Sequence, residues 1–95
     1  MAETSSGNPY VDETLEENLV IRKFDADVDP RELIWHRDKE DRVVKVLEGK
    51  GWILQFEDEL PAVLNKGETA FIPKMVYHRL IRGQSDLILK IRKNK

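Results

Sequence analysis

The sequence predicts one all-β domain, a closed barrel or sandwich of short antiparallel strands. Runs rich in Val, Ile, Leu, Trp, Phe and Tyr recur along the chain, and turn-forming clusters interrupt them every 6–12 residues or so. No stretch holds an apolar period of 3.6 long enough for a helix. Ninety-five residues provide chain for one core and not for two.

The elements follow in order. Residues 1–18 read as a flexible acidic tail: Ser5, Ser6, Gly7, Asn8 and Pro9 open it, and the stretch from Asp12 to Glu17 has little apolar surface to bury. The barrel is expected over residues 19–95. Residues 19–24 form the first strand, and 25–30, with three Asp and a Pro, the first turn. Residues 33–38 alternate as a strand and 42–47 form the next. Glu48-Gly49-Lys50-Gly51 reads as a hairpin, with two glycines able to take positive φ. Strands over 52–56, 61–64, 69–72, 77–82 and 87–92 complete the series, with 83–86 as the last hairpin.

Composition bounds the function. Without cysteine there is no disulfide, thiolate metal site or cysteine nucleophile, which fits a cytoplasmic protein. The start of the chain lacks the pattern of a secretory signal, and no apolar run approaches the roughly 20 residues of a membrane span. Residues 1–18 hold five acids and no Lys or Arg, whereas seven basic residues and one acid, Asp86, follow from Lys74 onward. That basic end can meet an anion or simply face water. It lacks the aromatic interleaving of a nucleic-acid platform, so nucleic-acid binding is the weakest of the readings.

The chemistry falls to the two histidines. Side chains two apart on a strand share a face, so His36 and Asp38 point together, and Trp35 and Arg37 point the other way. His78 shares its face with Leu80 and Arg82. Arg42 has the parity of Val44 and Val46, natural core residues, and is expected to point inward. Two imidazoles and a carboxylate can ligate a divalent metal with positions left open. They can equally hydrogen-bond inside a polar barrel, with Asp38 paired to Arg42 or Arg82. Gln55 lines the interior if Ile53 and Gln55 face inward; the opposite phase buries Trp52, Leu54 and Phe56, and apolar content favours it.

At these residues the chain resembles the cupin superfamily. Gly67, five residues, Pro73 and then His78 resemble the second cupin signature; His36, Asp38, Arg42 and Gly49 resemble the first, with residues 50–66 as a short intermotif segment. The resemblance covers about residues 30–82 and implies a cupin-type double-stranded β-helix, or jelly-roll barrel. The pattern is departed from at Pro30 and Met75 (Gly in the family), Asp38 (His), Arg42 (Glu) and Arg82 (Asn). It implies a metal set of His36, Asp38 and His78, able to take Fe, Mn, Zn or Ni, and the same residues as catalytic groups, with His and Asp moving a proton if no metal is held. Arg42, assisted by Arg82 and Gln55, would hold a small polar or anionic ligand. Arg42 would also repel a cation and compete for Asp38. Implied functions are an isomerase, epimerase or dioxygenase, or a non-enzymatic ligand-binding or regulatory module. Small cupins commonly pair through their outer sheets, so a homodimer is expected.

Overall fold

A computed structural model describes residues 9–94. They contain eight strands: β1 (Tyr10–Glu16), β2 (Leu19–Phe24), β3 (Asp41–Glu48), β4 (Ile53–Phe56), β5 (Ala62–Val63), β6 (Thr69–Ile72), β7 (His78–Ile81) and β8 (Leu87–Asn94). A five-stranded sheet runs β1-β2-β8-β3-β6, and a three-stranded sheet runs β5-β4-β7. All pairings are antiparallel. The described residues contain no helix long and apolar enough to cross a membrane.

Alternation decides what lies between the sheets. On β3, Val44 and Val46 are buried; on β8, Leu87, Leu89 and Ile91; on β2, Val20, Arg22 and Phe24. Trp52 and Leu54 enter from the β4 side. The phase of that segment is therefore the apolar one, and Gln55 turns outward to accept a 3.0 Å hydrogen bond from Arg79 Nε. Gln55 is thus no pocket residue, in contrast to the sequence expectation.

The expected tail is a strand over its second part. Tyr10–Glu16 pairs with β2 from Tyr10↔Phe24 to Glu16↔Leu19, so the ordered barrel starts before residue 19. Its signal was masked because an edge strand needs little apolar content: every residue of β1 after Tyr10 is exposed. Backbone pairing holds it, aided by Asp12, whose carboxylate accepts from Arg22 Nε and Nη2 at 2.8 and 2.9 Å. The Tyr10 ring covers that guanidinium at 3.6 Å. Residues 1–8 lie outside the described part.

Two other expectations change. Residues 33–38 make no strand. Asp29 caps a 3-10 turn at Pro30–Glu32, Leu33 plugs the core, and only His36 pairs, with His78. The expected hairpins at 48–51 and 83–86 are corners, because β3 and β8 belong to one sheet and β4 and β7 to the other. The two corners lie side by side, with Gln84 N–H donating to the Lys50 carbonyl at 2.8 Å. A Cβ on Gly83 would sit 2.4 Å from the Lys50 carbonyl oxygen and 2.5 Å from the Trp52 nitrogen, both backbone. Gly83→Ala is therefore expected to cost about 2–3 kcal/mol, lowering the melting temperature by roughly 10–20 °C; thermal unfolding followed by circular dichroism checks it.

Candidate metal and ligand site

His36 and His78 exchange both backbone hydrogen bonds, at 3.0 and 2.9 Å. Residues so opposed carry their side chains on one face, and the two rings meet with centroids 4.4 Å apart. His78 is buried and His36 is exposed at the rim. The opposite parity points outward: Arg79 lies over the Trp35 ring at 4.8 Å and Arg37 over the Tyr77 ring at 5.0 Å.

Each imidazole is fixed in the same way. His36 Nδ1 lies 3.0 Å from the Ile34 carbonyl and His78 Nδ1 2.8 Å from that of Val76. A carbonyl only accepts, so Nδ1 carries a proton in both rings, which leaves Nε2 as the nitrogen with a lone pair in the neutral imidazole. This is the second-shell arrangement that prepares a histidine to ligate a metal. Burial pushes His78 below the ordinary imidazole value, against the Val76 carbonyl, which raises it; the nearby His36 lowers it, Asp38 raises it and Arg42 lowers it.

Asp38 completes the group. One carboxylate oxygen, Oδ1, faces Arg42 Nη2 at 3.3 Å. The other, Oδ2, lies 3.4 Å from His78 Nε2 and is buried with no hydrogen-bond partner among the described residues. A lone pair therefore confronts a carboxylate oxygen across 3.4 Å, an arrangement that calls for a proton or a cation between them. A buried acceptor left unmatched costs about 1–3 kcal/mol. One ligand atom from each of His36, Asp38 and His78 lies within 4.8 Å of the others. On these observations the three residues fit a divalent metal.

Arg42 points into the barrel, as its parity predicts, and its side chain is 14% exposed. Its guanidinium is shared: Nε and Nη2 both reach Glu40 Oε2 at 2.9 Å. Glu40 draws the cation aside and neutralises it, which the sequence reading did not foresee. Arg82 does not assist. It is exposed, and its Nη1 donates to the Val28 carbonyl at 2.9 Å, tying the 25–32 loop to β7.

The lumen beside this group holds a cavity of about 300 Å³. Its wall includes His36, Asp38, Arg42 and His78, then Val44, Leu54, Leu64, Ile72, Leu80, Leu89 and Ile91, with Tyr10 and Arg22 from the first two strands.

No protein-family model matches the sequence, and comparison with curated proteins returns no match. Solved structures do match. A cupin domain from Bordetella pertussis Tohama I aligns with a TM-score of 0.62 at 17% identity, over 90% of this chain and 92% of that one. This chain has the cupin fold. A structure described as Fe(II) HppE aligns at TM-score 0.67 and 18% identity, over 90% of this chain and 48% of its own. A structure of DMSP lyases aligns at 0.70 and 14%, over 81% and 37%. The chain thus spans about a third to a half of those two enzymes.

The cupin pattern explains one oddity. Met75, where the family carries Gly, has φ +65°, a left-handed conformation that side chains disfavour. Its N–H donates to the Asp38 carbonyl at 2.7 Å, so the strained turn helps place Asp38. Met75→Gly is expected to raise stability by about 1 kcal/mol, read as a rise in the urea midpoint with an unchanged denaturant slope.

The residues missed from the sequence are Glu40, Tyr10, Asp12 and Arg22. A usable signal existed: Arg22 lies between Val20 and Phe24, so parity alone turns it inward.

Proposed function

We propose that this cupin holds a divalent metal on His36, Asp38 and His78 and uses it to bind and transform a small anionic molecule in the barrel. The unpartnered Asp38 Oδ2, facing the lone pair of His78 Nε2, carries this reading. The Fe(II) named for HppE makes iron a natural first choice. When bound, the ion would supply Lewis acidity and open positions for substrate oxygen. The chain's own residues do the rest. The Ile34 and Val76 carbonyls lock both imidazoles, and Arg42 orients Asp38 while Glu40 tempers its charge. The apolar wall lines the rest of the lumen beside these groups. Isomerisation, epimerisation and dioxygenation are the reaction classes this arrangement suits.

The same contact supports a second, metal-free reading, in which His78 takes a proton and Asp38 steadies the imidazolium. Elemental analysis separates them. Protein incubated with Fe(II), Mn(II), Zn(II) or Ni(II) and then desalted should retain about one ion per chain, and His78→Ala should retain none. Equal, trace retention in both would discard the metal and leave the proton-transfer reading.

A further inference from the structure

The polar groups that can act on a ligand sit together, and most of the remaining lumen is hydrocarbon. His36, Asp38, Arg42 and His78 are joined by direct contacts. Beyond them the wall is mostly apolar, with Val44, Leu54, Leu64, Ile72, Leu80 and Leu89 among its residues; Tyr10, Arg22 and Glu32 are its other polar members. Arg22, the other buried cation on the wall, already donates twice to Asp12 and lies under Tyr10. A sugar or a sugar phosphate would leave many hydroxyls facing methyl groups, at a cost for each. The space, about 300 Å³, equals roughly ten water molecules, enough for a short hydrocarbon body attached to a head group.

Charge fixes the head. Asp38, Glu40 and Arg42 together contribute a single net negative charge, and a divalent ion would add two positive ones. The loaded cluster attracts an anion, whereas the empty one repels it.

We infer that the ligand is an organic acid with an apolar body: a chelating, anionic head on the His36–Asp38–His78 group and an alkyl or aryl chain along the hydrocarbon wall. This rests on the metal reading for its head and on the cavity alone for its body. The class is narrower than the small polar or anionic ligand expected from sequence.

Three titrations by calorimetry test it. The metal alone is titrated into the chain. Straight-chain 2-oxo acids of three to eight carbons are titrated into the metal-loaded chain. Primary alcohols of the same lengths are titrated into the metal-free chain. Each added methylene should tighten binding about threefold to fourfold in both series, until the cavity is full. The acids should bind the metal-free chain at least tenfold more weakly than the loaded chain. Leu80→Phe should move the optimum to shorter chains and Leu80→Ala to longer ones; because the shifts are opposite, general damage to the fold cannot mimic them. A flat dependence on length in both series, or tightest binding of the three-carbon acid, overturns the inference while leaving a positive metal titration intact. A rising alcohol series with no metal bound supports the apolar body, sinks the metal reading and overturns the chelating head with it. Equal acid binding with and without metal overturns the assignment of the head.

Discussion

Trp52→Ala should lower the unfolding free energy by about 3–5 kcal/mol, the largest loss expected from one side chain here. Trp52 is 0% exposed and stands where the two inter-sheet corners meet. Its indole N–H donates to the Ser85 carbonyl at 2.7 Å, and its ring lies 5.7 Å from that of Phe24. Truncation therefore removes packing from both sheets and strands a carbonyl on the β7–β8 corner. Small domains hold only about 5–15 kcal/mol in total, so the variant should melt some 15–30 °C lower. Trp52→Phe keeps most of the packing and loses the hydrogen bond, and should cost about 2 kcal/mol. Urea unfolding followed by tryptophan fluorescence for the wild type, and by circular dichroism for all three, gives the comparison. A loss below about 1 kcal/mol for the alanine variant would contradict the packing described.

His78→Ala should weaken divalent-metal binding by about a hundredfold or more, since even second-shell changes at such sites cost 10–100-fold. The readout can be thermodynamic. At a free metal concentration of 100 Kd the wild type should gain about 2.7 kcal/mol against unfolding, and the variant should gain almost nothing at the same concentration. The metal-free protein makes a second test through pH. Burial depresses the His78 pKa below the ordinary imidazole value of 6.5. The unfolded chain then takes up a proton on this imidazole before the folded chain does. Its contribution is complete above about pH 6.5 and is lost as pH falls through the lower folded value. His78→Gln should flatten that part of the stability profile. An unchanged profile would mean that the imidazole is not held neutral in the fold.

Much of the site was legible because its signals are local. The spacing of His36 and Asp38 put them together and Trp35 outside, although residues 33–38 form no strand and only the His36 bridge holds that alignment, and strand parity turned Arg42 inward beside Val44 and Val46. Gly67, Pro73 and His78 gave the distal histidine its register. Parity did less well for Arg82. Its β7 face was right for the barrel, but the long side chain, one residue past the strand, found the Val28 carbonyl instead. Gln55 was decided by the stronger apolar claim of Trp52, just before β4, and of Leu54 and Phe56 on it.

The sequence by itself determined the all-β class, most of the strands, and the pairing of two distant histidines around Asp38, because alternation and turn chemistry act within a few residues. Only the tertiary structure decided that Tyr10–Glu16 is a strand, that the glycine-bearing turns are corners between sheets, and that Glu40 draws the Arg42 charge aside. Those outcomes depend on which backbone edges and charges meet across the fold. Partners far apart in the chain leave no periodic trace in either segment, and an exposed edge strand is held by hydrogen bonds that any sequence can make.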